Sequence, residues 1–320
     1  MSQGEVQTAR QCLAWTGRGH ILAYLEGATL YVQDEACGTT EVLARGVGTF
    51  AVAACAAGAA VAYVAGGVLY VRRRSSSGWG VAEWIDDGVG PLPALCCWFT
   101  SAGMRLELAW HRQGGGVYCR SWWGAWGAPV RMDVGTVVAE YPWPACDGAG
   151  RTWVAWHESN QAGETVIRLA GRASDLAAWA PWAASFDGAD PSLAWDGSAL
   201  VLGYQHRWST YVVCLDPARR SAKSHATLLA RNSLFTAAAA TTSGAAATCW
   251  SSWATSKDIT DYGTRTVRCA VRDPGGQWVE RAATTATGGL GQPGIAPAPS
   301  GWSLAWTDRA SNSVVRTAVA

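Results

Sequence analysis

A small residue followed by Tyr or Trp recurs seven times along this 320-residue chain, and this repeat restricts the fold more than any other feature. In six of the seven copies Leu or Val comes directly before the pair, and successive aromatic residues lie 39 to 53 residues apart. Repeats of this length are typical of chains that stack one supersecondary unit many times. The pairs are Ala23-Tyr24, Ala62-Tyr63, Ala109-Trp110, Ala155-Trp156, Gly203-Tyr204, Ser252-Trp253 and Ala305-Trp306.

The surroundings of the pair repeat as well. A glycine-bearing turn and another apolar segment come before it, as in Leu193-Ala194-Trp195, and a β-branched run such as Leu69-Tyr70-Val71 comes after it. A fourth segment, which often carries Trp, closes most units. Short segments of this composition between glycine turns indicate strands, and no segment has a helical period. Four strands in each unit of about 45 residues predict the blades of a propeller.

We therefore expect one all-β domain over residues 1–320, a seven-bladed β-propeller of four-stranded antiparallel blades. The last unit has room for only three strands, whereas Glu5–Arg10 is an unassigned strand-like segment. We expect this N-terminal strand to complete the last blade, because pairing the termini closes the ring and removes exposed sheet edges. The expected blades are residues 11–46, 47–91, 92–138, 139–189, 190–233, 234–291, and 292–320 with 4–10.

Composition excludes several classes of protein. Hydrophobic residues make up 49% of the chain, which is too many for a disordered protein. Twenty-five basic and 24 acidic residues give a net charge of +1, so we expect no nucleic-acid partner. The most apolar stretch, Phe50 to Tyr70, contains three glycines and continues into arginines, so no membrane-spanning segment is expected. The opening residues show no signal peptide, and none is expected.

The ten cysteines form no Cys-x-x-Cys pair, and no histidine lies beside them at zinc-ligand spacing. We expect no metal and no cofactor. Most of the cysteines lie inside apolar runs, which favours buried free thiols that pack as small hydrophobic residues. The alternative is that a few pair in an oxidising compartment, with Cys12 and Cys37 as candidates.

The loops between the second and third strands should all emerge on one face of a propeller, and they hold much of the polar chemistry of this chain. One interpretation is that any loop face must be polar; the other is a binding face, because function concentrates on loops that a rigid scaffold holds. The candidate binding residues on this loop face are His111, Arg112, Gln113, His157, Glu158, Asn160, Gln205, His206, Arg207, Trp208, Lys257, Asp258, Tyr262, Asp308 and Arg309.

The tryptophans divide into two groups. Those in the second strands are expected to pack between blades: Trp110, Trp156, Trp253 and Trp306. The less regular cluster of Trp122, Trp123 and Trp126 could stack on sugar rings. Trp208 is the better candidate for contact with a partner, because exposed Trp and Arg often dominate interfaces.

The segment Asp273-Pro274-Gly275-Gly276-Gln277-Trp278 resembles the Asp-box turn that joins the third and fourth strands of sialidase-like blades. With the Trp-rich repeats, the chain resembles β-propellers of the sialidase-like and Trp-rich lectin kind. This resemblance is architectural and carries over no catalytic residue. Sialidase-like hydrolysis needs arginines, a Tyr activated by Glu and an acidic proton donor. Residues of these types are Glu158, Tyr262, Arg112, Arg207 and Arg309. No motif fixes their relative positions, so we expect that the protein is not an enzyme.

Propellers of similar build occur in the nozzles, hubs and fibre-associated proteins of bacteriophage tails. This resemblance implies a virion structural protein that assembles with other virion proteins in a ring or multicopy assembly, with host attachment through a surface glycan as a further role. The first alternative is a carbohydrate-binding lectin, which predicts similar sugar pockets between successive blades. The sequence shows no repeated polar set of that kind. A glycoside hydrolase is the second alternative.

Overall fold

The computed structural model describes residues 6–7, 9, 11–133, 138–147, 149–174, 177–252, 265–286, 292–308 and 311–320. Over these ranges the chain forms seven small antiparallel sheets, so the seven-bladed all-β propeller is confirmed. In this described part no helix is long and apolar enough to cross a membrane.

The first three sheets occupy the N-terminal part of the chain. The first contains β1 (Val6–Gln7), β2 (Leu13–Trp15), β3 (His20–Glu26), β4 (Thr29–Asp34) and β5 (Thr39–Arg45). The second contains β6 (Val47–Cys55), β7 (Gly58–Ala65), β8 (Val68–Ser75), β9 (Gly78–Trp79) and β10 (Glu83–Asp86). The third contains β11 (Ala94–Thr100), β12 (Gly103–His111), β13 (Val117–Trp122) and β14 (Val130–Arg131).

The last four sheets follow in chain order. The fourth contains β15 (Val138–Cys146), β16 (Thr152–Ser159), β17 (Thr165–Arg172), β18 (Ala180–Pro181) and β19 (Phe186–Asp187). The fifth contains β20 (Ala189–Trp195), β21 (Leu200–His206), β22 (Ser209–Asp216), β23 (Ser221–Ala222) and β24 (Thr227–Arg231). The sixth contains β25 (Ser233–Ala240), β26 (Ala246–Ser252), β27 (Arg265–Arg272) and β28 (Trp278–Ala286), and the seventh contains β29 (Gly294–Ala298), β30 (Gly301–Asp308) and β31 (Ser313–Val319).

The innermost strands close the ring. β2 contacts β6, then β11, β15, β20, β25 and β29 follow in turn, and β29 contacts β2 again. Closure of this kind protects strand edges that an open array of sheets would expose. The segment that resembles an Asp box lies where the resemblance implies, because Asp273 to Gln277 joins the third and fourth strands of the sixth sheet.

The expected pairing of the N-terminal strand with the last blade is wrong. Val6 and Gln7 pair with Glu26 and Leu25 of β3, so this segment extends the inner edge of the first sheet. The seventh sheet has three strands among the residues that the structure describes. A short extended segment can pair with either neighbouring sheet, and its strand pattern does not choose between them.

The repeated pairs take the packing role that their composition predicts. The small residue is fully buried in Ala23, Ala62, Ala109, Ala155 and Ala305. At Gly203 a Cβ atom would lie 2.8 Å from Thr236 Cγ2 of the next sheet, so the site admits little bulk. Small residues here let neighbouring sheets approach closely.

Six of the seven large aromatic residues pack in or against the hydrophobic core. Trp110, Trp156 and Trp306 are buried, as expected for tryptophans of the second strands. In the sixth sheet the strand register places Cys249 and Trp250 at the position of the repeated pair. Cys249 pairs with Ala237 just after the bulge at the start of the inner strand. Trp253 lies outside the described residues.

Candidate functional site

Several residues of the predicted loop face have structural partners. Arg112 donates from Nε and Nη2 to the two carboxylate oxygens of Asp86, each at 2.9 Å, and Trp110 Nε1 donates to Asp86 Oδ2 at 2.7 Å. Burial raises the pKa of Asp86, but the hydrogen bonds from Arg112 and Trp110 outweigh it and hold that pKa below its usual range. Arg112 therefore anchors the third sheet to the second.

Glu158 and Asp308 are also engaged within their own sheets. Glu158 accepts hydrogen bonds from Trp156 Nε1 at 3.1 Å and from Arg168 Nε at 3.0 Å. Asp308 accepts a hydrogen bond from the Ser311 hydroxyl at 2.8 Å. Gln113 is exposed, and its backbone N–H donates to Gly88 O. Four further predicted face residues lie outside the described residues: Lys257, Asp258, Tyr262 and Arg309.

The two histidines of the third and fourth sheets are buried, and both contact the ring of Tyr141 in tilted or edge-to-face arrangements. The ring of Tyr141 lies between His111 and His157, with ring centroids 5.5 Å and 5.0 Å away. Burial and the neighbouring His157 lower the pKa of His111 to about 4. The backbone N–H of Asp190 donates to His157 Nδ1 at 3.2 Å. Both histidines are therefore structural side chains at this edge of the ring rather than exposed binding groups.

Four of the five remaining predicted residues meet in one cavity, which we call the interblade pocket. It has a volume of about 760 Å³ and lies between the fourth and fifth sheets. Gln205, His206, Arg207 and Trp208 line one side of it. The rest of its lining is Gly163, Glu164, Thr165, Val166, Asp187, Ala189, Asp190 and Leu234. A cavity of this size matches the volumes of small-molecule sites in proteins.

Arg207 and Trp208 form the two-residue turn between β21 and β22. Their φ angles are +47° and +59°, as in a type I′ turn, which normally selects Asn and Gly. Left-handed backbone costs about 1 kcal/mol or more for each bulky residue. The turn is held because His206 pairs with Ser209 and because Ser233 N donates to Trp208 O at 3.0 Å. Strain that the surroundings maintain in this way is typical of functional sites.

The strained turn displays an exposed aromatic ring. The Trp208 side chain is 52% exposed at the mouth of the interblade pocket, and Arg207 beside it is exposed as well. An exposed indole offers a flat apolar face together with an N–H donor. Neither side chain belongs to the hydrophobic core, so core packing does not account for the strain in this turn.

The opposite wall of the pocket comes from the fourth sheet. Asn160 Oδ1 accepts from the N–H groups of Ala162 and Glu164, and Asn160 Nδ2 donates to Glu164 Oε2 at 2.8 Å. Asn160 was predicted as a binding residue; in the structure it shapes the loop that positions the Glu164 carboxylate at the pocket.

The chain passes along the pocket between β19 and β20. Gly188 has φ +154°, and a Cβ atom there would lie 2.4 Å from the backbone oxygen of Gln205. Only glycine permits this close crossing, which places Asp187 and Asp190 on the pocket wall.

Gln205 lies in the depth of the pocket and is buried. Its Nε2 donates to the hydroxyls of Thr210 at 2.9 Å and Thr236 at 2.6 Å, which fixes the orientation of the amide. Its Oε1 is buried and accepts no hydrogen bond from the residues that the structure describes. The buried Gln205 amide therefore has a structural role beneath the pocket.

The electrostatic character of the pocket is acidic. Three carboxylates, those of Glu164, Asp187 and Asp190, line the pocket together with Arg207 and His206. Burial, Tyr211 and Asp187 together raise the pKa of the nearby Tyr204 to about 12. The pocket therefore favours neutral ligands with hydroxyl donors over anionic ones.

Sequence reasoning identified one wall of the pocket and missed the other. It named Gln205, His206, Arg207 and Trp208, but not Glu164, Asp187 or Asp190. The sequence feature that could have identified the second wall is the segment Asp187-Gly188-Ala189-Asp190. Two acidic residues flank a glycine there, just before an inner strand.

Other candidate groups have different roles. Trp122 and Trp126 are stacked with Arg73 and Arg120, and Trp126 Nε1 donates to Glu83 Oε2 at 2.8 Å. A second cavity of about 430 Å³ lies inside the ring of inner strands and is lined by mostly apolar side chains, among them Trp15, Trp98 and Trp195. Over the described residues, no group of three or more His, Cys, Asp or Glu side chains is placed to hold a metal ion.

No protein-family model and no curated protein matches this chain. Solved structures do. The Aleuria aurantia lectin, in complex with Fucα1-6GlcNAc, is 14% identical with a TM-score of 0.58, covering 87% of this chain and 96% of the lectin. The SapL1 lectin, in complex with α-methyl fucoside, is 11% identical with a TM-score of 0.52, covering 95% of this chain and 91% of the lectin.

A sialidase has a similar fold as well. Trypanosoma rangeli sialidase is 8% identical with a TM-score of 0.56, covering 98% of this chain and 58% of the sialidase. At these identities the likeness establishes the propeller fold. The expected resemblance to lectin and sialidase propellers is confirmed, whereas the resemblance to bacteriophage tail propellers has no counterpart among these matches.

Proposed function

We propose that the protein is a carbohydrate-binding propeller that takes a neutral sugar in the interblade pocket, with Trp208 as the stacking platform. The observation that carries this proposal is the exposed Trp208, held on a strained turn at the mouth of a carboxylate-lined cavity. A sugar ring has an apolar C–H face and a rim of hydroxyls. An indole face beside hydrogen-bond acceptors complements both parts of that ligand.

The hydroxyl rim of the sugar has acceptors in the pocket. The Glu164 and Asp187 carboxylates are exposed on the opposite wall. Hydrogen bonds from hydroxyls to carboxylates are charge-assisted and stronger than neutral ones. Because carboxylates outnumber cations, we propose neutral sugars rather than sialic or uronic acids as the ligand class.

The structural likeness to two lectins supports this proposal over an assembly role. Both lectins have structures with fucose-containing ligands, and both align with most of this chain. The finer prediction of a tail component with virion partners gains no support from these comparisons. Docking of a partner protein on the loop face is the result that would replace the present proposal.

We propose binding without hydrolysis. Glu158, which the sequence offered as an acid for sialidase-like chemistry, is bound by Trp156 and Arg168 of its own sheet. Arg112, offered for substrate binding, is committed to Asp86. These contacts leave both side chains tied to structural roles.

The test is a glycan array with the full chain, followed by titration calorimetry with the best neutral ligand. Trp208→Ala should weaken binding by about tenfold or more, since buried aromatic anchors contribute about 2 kcal/mol. The matched control is Trp84→Ala, because Trp84 is 58% exposed on the second sheet and does not line the pocket. Equal affinity of the Trp208→Ala variant and the wild type, or the absence of any bound glycan, would overturn the proposal.

A further inference from the structure

A small cavity of about 120 Å³ lies between the fourth and fifth sheets, and three arginines line it: Arg151, Arg172 and Arg220. We call it the arginine pocket. Arg151 comes just before β16 and Arg220 lies after β22, whereas the interblade pocket is formed at the other ends of these two strands. The two cavities therefore open on opposite faces of the ring. None of the described residues that line the arginine pocket is acidic.

The guanidinium of Arg172 is fixed in the wall of the arginine pocket. The side chain is only 7% exposed, and its Nη2 donates to Glu107 Oε2 of the third sheet. Its Nε donates to the hydroxyl of Thr152 at 2.7 Å. A buried charge that is held in this way keeps its orientation before any ligand arrives.

Arg151 is fixed as well, by an ion pair and by aromatic rings. Its Nε donates to Asp147 Oδ2 at 2.5 Å, and its Cζ lies 5.7 Å and 5.4 Å from the ring centroids of Trp153 and Trp195. The two indoles are stacked, and a Cβ atom at Gly171 would lie 2.5 Å from Trp153 Cδ1, so glycine makes room for this ring. Arg151 Nη1 and Nη2 donate no hydrogen bond to the residues that the structure describes.

Arg220 lies in the turn between β22 and β23 with φ +53°, a left-handed backbone that bulky residues disfavour. The acidic residue of this turn is engaged elsewhere: Asp216 Oδ1 accepts from Ala218 N and Arg219 N, and its Oδ2 lies 3.6 Å from Arg219 Nε. Arg220 is exposed and forms no ion pair within the described part of the chain. Its charge is therefore available at the pocket.

On the same face of the ring, other arginines that reach a neighbouring blade meet carboxylates. Arg74 of the second sheet pairs with Asp34 of the first, and Arg272 of the sixth sheet pairs with Asp196 of the fifth at 2.6 Å. Each of these contacts is a balanced pair of charges. The arginine pocket differs, because Glu107 and Asp147 balance two of its three arginines.

We propose that the arginine pocket binds a tetrahedral oxyanion, the sulfate or phosphate group of a larger ligand. Guanidinium groups present several N–H donors in a planar fork that matches such an anion. A volume of about 120 Å³ corresponds to about four water molecules, which suits one oxyanion group and leaves the rest of the ligand at the exposed Arg220. The site is separate from the proposed sugar site.

The test is titration calorimetry of the full chain with inorganic phosphate and inorganic sulfate at low ionic strength, where charge interactions are least screened. We expect saturable binding of one anion per chain. N-acetylglucosamine 6-sulfate and glucose 6-phosphate then distinguish the two sources of the group. The ester that binds more tightly than its own inorganic ion identifies the natural class of ligand.

The decisive variant is Arg220→Gly, since glycine accepts φ +53° and removes the side chain without strain. It should bind both anions about tenfold or more weakly, because a charge-assisted contact is lost. The matched control is Arg219→Ala, because Arg219 is 83% exposed and does not line the pocket. Trp208→Ala should bind the anions like the wild type, which separates this site from sugar binding.

Circular dichroism spectra check that each variant is folded. The absence of saturable phosphate and sulfate binding to the wild type would overturn the proposal. Equal affinity of the Arg220→Gly variant and the wild type would do the same, and so would an equal loss of affinity in Arg219→Ala and Arg220→Gly.

Discussion

Arg172 Nη2 of the fourth sheet donates to Glu107 Oε2 of the third sheet at 2.5 Å, and both side chains are buried. The Ser121 hydroxyl also donates to the carboxylate, at 3.0 Å, and Arg172 Nε donates to the hydroxyl of Thr152. The pair thus joins two blades through a hydrogen-bonded charge cluster. Such a pair matters most when one member is removed, because the other is left as an uncompensated buried charge.

Removing the carboxylate should therefore be costly. We expect Glu107→Ala to lower the free energy of unfolding by about 3 to 5 kcal/mol in urea denaturation. The control is Glu280→Ala, since Glu280 pairs with Arg268 at 3.0 Å on the surface, where an ion pair is worth less than about 1 kcal/mol. Similar losses in the two variants would contradict the structural role of the Glu107–Arg172 pair.

The same carboxyl predicts a pH dependence of stability. Burial raises the pKa of Glu107 from 4.5 to about 7, with Arg172 opposing the shift. Between these values the folded protein keeps a proton that the unfolded chain has released, so stability from this group falls as pH rises from 4.5 to 7. In urea denaturation, the free energy of unfolding should be lower at pH 8 than at pH 5. This difference should be smaller in Glu107→Gln than in the wild type. An equal decline in both proteins would assign the effect to other groups.

The contact between the last and first blades should lose stability as the pH falls, whereas the contribution of Glu107 is lost as the pH rises. Arg316 Nη1 of β31 lies 3.0 Å from Glu35 Oε1 of the first blade. Burial tends to raise the pKa of Glu35, but hydrogen bonds from His20 and Arg316 lower it to about 2. Stability from this group is complete above pH 4.5 and is lost as pH falls toward 2.

We expect Glu35→Gln to reduce the loss of melting temperature between pH 5 and pH 3. The effect should be small, at most about 1 kcal/mol, because Glu35 is partly exposed and its ion pair is screened by solvent. Unchanged acid sensitivity in this variant would show that the Glu35–Arg316 contact does not stabilise closure.

The turn in the interblade pocket allows stability and binding to be separated. Replacing Arg207 by Asn and Trp208 by Gly installs residues that favour positive φ. The double variant should gain about 1 kcal/mol of stability in urea denaturation, because strain at two positions is relieved. It should also lose glycan binding in calorimetry. A double variant that is less stable than the wild type would contradict the account of strain in this turn.

Much of the fold was predictable because the blades repeat a packing requirement. A buried small residue before a large aromatic one satisfies the close approach of neighbouring sheets, and each blade needs it once. The pairing of Val6 and Gln7 was not predictable in this way, since two sheets offered an edge. Cys249-Trp250 was missed in the sixth sheet because Cys is not among the small residues that mark the other copies.

About half of the candidate site could be predicted from the sequence, because only that half comes from one continuous segment. Gln205 to Trp208 are contiguous in sequence, so one polar loop identifies them. Glu164 and Asp187 reach the same cavity from other elements, through the Asn160 loop and the Gly188 crossing. The structural roles of Arg112 and Glu158 depend on partners in neighbouring strands or sheets, which loop composition does not specify.

The most direct test of the central claim is a crystal structure of the full chain with the neutral glycan that binds best on the array. We expect a sugar ring stacked on Trp208, with hydroxyls donating to the carboxylates of Glu164 or Asp187. A glycan bound in the central cavity, or at the Trp122 and Trp126 cluster with the interblade pocket empty, would contradict the account.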